Sequence, residues 1–310
     1  MQNRYILLWL YIILTCLPSA GRKDYLELKN RDICLRQDLT RGGAICYISK
    51  RGTDRNIVNI NDEGRYIQQS YYAGNSVNRR HEGQAKTWSP WAWNPIQVGD
   101  YKGNRAPILE ARKKGRTLYV KCIPMQWDMN NKPAEAIMEQ WTELKGTVIK
   151  VKNRLTCQRT DTIYGEGSIN SQEIPAVYPI SALNHLYGYF GDAPFSYAKL
   201  DTTEVHEIII GDPNHFWGVY NHVPEKWMAF TDDNGWGMGV YSPSATSFLA
   251  GRYMASRKGE AHEPATSYIA PTRMQKMMKN SVVEYEYYIV VDDIENIRKI
   301  IYELHSAEKK

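Results

Sequence analysis

A chain of 310 residues with 39 Lys and Arg against 34 Asp and Glu carries a formal charge of +5, and its basic residues are scattered, which makes nucleic acid a poor partner. No stretch beyond the first twenty residues approaches the ~20 apolar residues that a membrane-spanning helix needs, so no membrane span is expected. The aromatics are mostly amphipathic, 22 Tyr and 9 Trp against 5 Phe, and a flat apolar face with a hydrogen-bonding edge suits sugar rings, which pair C–H faces with hydroxyl rims.

The chain opens with Arg4, an apolar run from Tyr5 to Leu14, and Leu17-Pro18-Ser19-Ala20 before Gly21. This is the layout of a cleavable signal peptide, too short to span a bilayer comfortably. Residues 1–20 are therefore read as a signal and 21–310 as one secreted or periplasmic domain. Cys16 leaves a lipid-anchored form open. The other cysteines, Cys34, Cys46, Cys122 and Cys157, show neither CxxC spacing nor a nearby histidine pair, so a structural metal site is not expected. An even number in an exported chain permits disulfides, and buried free thiols are the alternative.

The segment Asn59 to Tyr72 is richer in polar and aromatic residues than a core requires. If it is extended after Gly64, Arg65, Gln69 and Tyr71 share one face and Tyr66, Gln68 and Tyr72 the other. Asp62, Arg65 and Gln68 or Gln69 then form an array able to bind hydroxyls or a carboxylate; the plainer reading is a loop in which Asp62 holds Arg65. Trp88 to Asp100 follows, with Trp88, Trp91 and Trp93 broken by Pro90 and Pro95. Such a loop cannot be a regular strand or helix. It either packs over a sheet end or lines a cleft, with Trp91, Trp93 and Gln97 as its candidate binding residues.

Further along, the dominant period is two. Arg112 to Arg116 reads as a hairpin turn before a strand at Leu118–Cys122. Met138–Leu144 alternates, Gly146 turns the chain, and Val148–Leu155 returns. Glu139 on the first arm, and Glu173 in Gln172–Tyr178, have apolar and amide neighbours of the kind that raise a carboxyl pKa. For each, a structural carboxylate is the bland alternative. Ser181–Tyr189 is expected as a short helix and Val205–Ile210 as a strand. Glu225 beside Trp227 suits a site rim. Trp227–Thr231 and Gly237–Tyr241 flank Asp232-Asp233-Asn234-Gly235, a hairpin turn because Asn-Gly accepts positive φ, and this brings Trp236 up as a candidate stacking residue. Tyr268–Pro271 is a weaker candidate wall. Val282–Val291 is the longest strand, and Asp293–Leu304 is a helix with Ile294, Ile297, Ile301 and Leu304 on one face. Many strands, few helices and no linker predict an all-β fold, one large antiparallel β-sandwich.

The order of these segments resembles the galactose-mutarotase-like β-supersandwich proteins. Gly42-Gly43-Ala44-Ile45 and Asn56-Ile57-Val58-Asn59 look like their opening strand pair, Arg65 falls where they carry a sugar-binding arginine, and Asn94–Asp100 is similar in place to their next site loop. Val148–Leu155, with Asn153 near its end, leading to Gln172–Tyr178 resembles the unit that presents their catalytic histidine. Here Gln172-Glu173 stands instead, which argues against ordinary epimerase chemistry. The chain is also similar to uncharacterised exported proteins of polysaccharide-degrading bacteria.

The residues and the resemblance together point to an oligo- or polysaccharide as partner, with no cofactor required. The leading expectation is a glycoside hydrolase in which Glu173 works with Glu139, Glu225 or Asp62, since hydrolysis commonly uses paired carboxylates. Arg65, Gln68 and Gln97 hold substrate, while Trp91, Trp93 and Trp236 stack on rings. A lyase acting on a uronic acid is the alternative, with Arg65 neutralising the carboxylate and Tyr71 or Tyr178 moving the proton. A non-catalytic carbohydrate-binding protein is the third reading.

Overall fold

The computed structural model describes residues 24–72, 80–88, 93–159, 169–202, 207–208 and 217–309. The expected signal segment 1–20 with Cys16, and Trp91, lie outside the described residues, as does most of the expected strand 205–210. With strands numbered in chain order, the first sheet runs β1 (Tyr25–Lys29), β2 (Ile33–Asp38), β3 (Ala44–Lys50), β4 (Ile67–Ser70), β11 (Ile169–Val177), β19 (Thr266–Lys276), β18 (Ser247–Tyr253) and β14 (Glu207–Ile208). β15 (Gly218–Tyr220) also pairs with β18, and β5 (Pro95–Ile96) joins β4 to β8 (Met125–Gln126). The second sheet runs β13 (Asp201–Thr202), β12 (His185–Gly188), β16 (Trp227–Thr231), β17 (Trp236–Tyr241), β20 (Val282–Asp293), β10 (Val148–Cys157), β9 (Ala136–Lys145), β7 (Thr117–Cys122) and β6 (Ile108–Lys114). The pairings are antiparallel except β14 with β18.

Alternation builds the sandwich. On β9 and β10, Met138, Leu144, Ile149, Val151 and Leu155 enter the core between the sheets. Glu139, Trp141, Lys150, Lys152 and Arg154 take the opposite face, because side chains alternate along a strand. The core also holds a seam of amides that joins the sheets. Gln37 Nε2 donates to Thr142 Oγ1 at 3.2 Å, Gln69 Nε2 to the Glu139 carbonyl at 3.0 Å, and Gln97 Nε2 to Gln140 Oε1 at 2.8 Å. Gly42, with φ at 58°, lies so close to the Gln97 backbone that a Cβ would come within 1.8 Å of its carbonyl oxygen. Only glycine permits that conformation and that approach.

Among the described residues the one α-helix is α1 (Ile294–Glu308), with the Asp293 side chain accepting from Asn296 N as its N-cap. Its apolar face lies on the outside of β16, β17 and β20, where Ile297 and Ile301 join Trp227, Ala229, Tyr241 and Val290 in a second cluster. Burying each isoleucine contributes about 1.5–3 kcal/mol. No helix among the described residues is long and apolar enough to cross a membrane.

One expectation changes, and one open alternative is decided. Ser181–Tyr189 is not a helix: His185–Gly188 is strand β12, paired with β16, and the Ser181 hydroxyl donates to the Arg257 carbonyl and accepts from Gly259 N instead of capping. A weak local periodicity yields here to the hydrogen bonds of a sheet edge. Cys34, Cys46, Cys122 and Cys157 are free thiols: Cys46 is half-buried in the bulge of β3, and the register sets buried Cys34, Cys122 and Cys157 opposite residues other than cysteine.

Candidate functional site

The outer face of the first sheet carries a cup of aromatic and hydroxyl side chains around one carboxyl. β11 makes the cup by breaking its own alternation. The register slips between Glu173 and Ala176, so these two residues, three apart, face outward together, while Ile174 and Val177 enter the core. Bulges re-aim side chains in this way, and Pro175, which has no N–H to give a ladder, sits within the slip. Glu173 stands directly opposite Ser70 on β4 and Thr272 on β19.

The Tyr268 hydroxyl donates to Glu173 Oε1 in a very short contact, and Ser70 and Tyr72 also hydrogen-bond the carboxyl. Burial pushes the Glu173 pKa up, and these three hydrogen bonds only partly oppose it. The same burial, with the Glu173 charge beside them, raises the hydroxyls of Tyr72, Tyr178 and Tyr268. Gln172 fixes Tyr72 from the strand's other side: its Oε1 accepts from Tyr72 N at 2.7 Å and its Nε2 donates to Tyr72 O at 2.5 Å.

Aromatic rings make the wall. Trp217 stacks on Tyr268 at 4.3 Å between centroids, Tyr178 lies 4.7 Å from Tyr268, and Tyr178 meets Trp217 edge-on at 6.5 Å. The Arg65 guanidinium lies over Tyr178 at 5.2 Å and Tyr253 at 5.5 Å. Tyr66 explains how Arg65 comes to be here. With φ at 72° it interrupts the extended chain, so the alternation begins at Ile67 and Arg65 joins the face of Tyr72 rather than that of Gln69 and Tyr71.

Of the residues singled out from sequence, the structure brings together Glu173, Arg65 and Tyr178, with Asp62 beside Arg65 at 3.5 Å. Asp62 is committed to its loop, accepting from Gly64 N at 3.0 Å and Asn61 Nδ2 at 3.2 Å. The others lie elsewhere. Glu139 is on the outer face of the second sheet, accepting from the Tyr119 hydroxyl at 2.6 Å. Glu225 is fully buried beneath α1. Gln68 spends its amide on Val98 N and on the Glu63 and Arg65 carbonyls, and Gln97 on Gln69 N, the Gly42 carbonyl and Gln140. Tyr71 is a core residue that donates to Gln69 Oε1, and Trp93 is a core residue that donates to Glu135. Trp236 packs against the inter-sheet core at the start of β17. Of the four carboxylates, Glu139 and Glu225 lie away from Glu173, while the charges of Asp62 and Glu173 both act on the Tyr178 hydroxyl.

Trp217, Tyr253, Ser70 and Thr272 are cup residues that sequence reasoning passed over. Their one signal is parity: Tyr268, Ala270 and Thr272 alternate with the core residue Ile269 along β19.

Comparison of the sequence with protein-family models gives no match, and comparison with curated proteins gives none. Solved structures do match in shape. A provisionally described aldose 1-epimerase of Escherichia coli K12 superposes with a TM-score of 0.50 at 12% identity, over 87% of this chain and 99% of that one. A galactose mutarotase-related enzyme of Lactobacillus acidophilus superposes with a TM-score of 0.51 at 8% identity, over 86% and 97%. The chain has a galactose-mutarotase-like fold, a large antiparallel β-sandwich of the kind its sequence resembles.

Proposed function

We propose that the protein is an exported carbohydrate-active protein that binds a saccharide in the cup on the outer face of the first sheet, with Glu173 as its proton-transfer group. The observation that carries this reading is the convergence of Tyr268, Tyr72 and Ser70 hydroxyls on one buried carboxyl beside the Trp217 ring, which stacks on Tyr268, and the Tyr178 ring, edge-on to it. The rings offer faces to the C–H side of a sugar. The carboxyl, its pKa raised above the ordinary carboxylate value by burial, is the group placed to exchange a proton with a bound hydroxyl or ring oxygen as a general acid or base. The kinship of fold with a galactose mutarotase-related enzyme agrees with a sugar ligand, and by itself decides no chemistry.

Glycoside hydrolysis by two carboxylates is the less favoured form of this chemistry, since Glu139 lies on the second sheet, Glu225 is sealed just before β16 beneath α1, and Asp62 is held by its own loop. Lyase action on a uronic acid has a specific observation behind it, the Arg65 guanidinium over the Tyr178 ring, close enough for its charge to act on the Tyr178 hydroxyl. Calorimetric titration of a panel of plant, algal and host glycans, followed by product analysis, tests the proposal. Binding of a saccharide that is lost in Trp217→Ala, and turnover that is lost in Glu173→Gln with binding retained, are expected. An unsaturated, ultraviolet-absorbing product selects the lyase form. Absence of any saccharide binding by the intact protein overturns the reading. Export is tested separately by the N-terminus of the protein recovered outside the cytoplasm, expected near Gly21.

A further inference from the structure

A cleft of about 720 Å³ opens on the same outer face of the first sheet, over β1 to β3. Register places its floor: Arg36 faces Tyr47 on one side and Glu27 on the other, and Asp38 faces Tyr25. The Arg36 guanidinium is sandwiched between the rings of Tyr25 at 4.8 Å and Tyr47 at 4.6 Å and held by Glu27 Oε2 at 2.9 Å. At the rim, Arg55 reaches Glu260 at 3.1 Å.

Two features of this cleft define its ligand. Four guanidiniums line it, those of Arg36, Arg41, Arg55 and Arg105, and three have a carboxylate at hand: Arg36 with Glu27, Arg41 with Asp38, and Arg55 with Glu260. An acidic polymer or a nucleotide meets five carboxylates against four guanidiniums in the lining and gains little. A neutral polyhydroxylated chain finds donors and acceptors side by side, and a Tyr25 ring 36% exposed for its C–H faces. The second feature is continuity. From Asp38 the polar side chains run through Arg41, which contacts Asp38 at 3.3 Å and Glu63 at 3.4 Å, to the Asp62–Arg65 pair and so to Tyr178. β2 lies three strands from β11 in the sheet order, about 14 Å at the usual strand spacing, farther than one sugar ring reaches.

We propose that this cleft is a second saccharide site, holding a neutral stretch of the same glycan chain whose other end occupies the cup. The inference rests on the cup being a sugar site and extends it: the ligand is an oligosaccharide, and its affinity grows with length. Calorimetric titration with neutral glucan, galactan and mannan oligosaccharides, from one to six units, tests it. At least a tenfold gain in affinity is expected between the shortest and longest members of the series that binds. Tyr25→Ala and the surface change Arg55→Ala are expected to erase that gain and leave the affinity for the shortest member unchanged, with thermal melts confirming that both variants fold. Trp217→Ala should weaken every length alike. If all lengths bind equally, or the gain survives both cleft variants, the cleft proposal fails while the cup reading stands. If no saccharide of any length binds, both fail together.

Discussion

Two glutamates, each close to tryptophan and tyrosine, occupy opposite sides of this molecule and have opposite company. Glu225 is sealed beneath α1, accepting from Trp227 Nε1 at 2.8 Å, Phe195 N at 2.8 Å and the Tyr302 hydroxyl at 2.5 Å, with Arg298 at 3.8 Å. Every contact is a donor, and one carries a full positive charge, so Glu225 clasps strand, loop and helix together. Glu173 is also buried, yet its partners are three neutral hydroxyls. Burial there raises the pKa by more than the three hydroxyls lower it. Burial alone does not separate a structural carboxylate from a reactive one; the charge of its partners does.

The largest effect should come from breaking the Glu225 clasp. Glu225→Ala leaves the 6%-exposed Arg298 side chain without its counter-ion and three donors without an acceptor, and should cost about 3–5 kcal/mol in a chemical denaturation experiment. Saccharide affinity of the molecules that remain folded should not change. A loss of affinity equal to that of a cup variant would erase the distinction between the two sites.

Trp217→Ala reverses the pattern. Its ring covers Tyr268 and is half exposed, so removing it should weaken saccharide binding about tenfold, equivalent to ~1.4 kcal/mol, with a smaller change in stability.

The third comparison is in pH. The raised pKa of Glu173 means that the folded protein holds a proton the unfolded chain has already released. Its contribution to stability is fully present below the ordinary value of 4.5 and is lost as pH rises through the higher folded value. Glu173→Gln, which cannot ionise, should flatten that decline, read from denaturation midpoints at a series of pH values. An unchanged slope would mean that the three hydroxyls support the anion after all.

The smallest effect belongs to the helix cap. Asp293→Ala removes the side-chain acceptor for Asn296 N and should cost about 1 kcal/mol, read as a lower Tm. Because Arg298 and Tyr302 ride on α1, the loss should add to that of Glu225→Ala less than independently, and it should leave the cup untouched.

Much of the architecture was legible in local pattern. The hairpin of β9 and β10, the Asn-Gly turn between β16 and β17, the long β20 and the capped α1 all announce themselves, since period, turn residue and cap act within a few residues. The failure at Ser181–Tyr189 is the converse: a short segment with no strong local preference takes its structure from the β16 strand beside it. The candidate site was legible only in fragments. Arg65, Glu173 and Tyr178 stood out by residue type, and so did Gln68, Gln97, Tyr71 and Trp93, which turned out to bond and pack the interior. An amide in a sugar site and an amide in a buried seam look alike in a chain, because their difference is which face of which strand they occupy.

Composition and local periodicity were sufficient for the class of fold, because alternation and turns depend on near neighbours. Whether Glu173 met a cation or a set of hydroxyls, and whether Glu139 shared its face, depended on a register slip beside Pro175 and on strands more than ninety residues apart along the chain meeting at β4, β11 and β19. A one-residue slip moves a side chain from one face of a sheet to the other, so tertiary pairing alone could choose which carboxyl would face the cup.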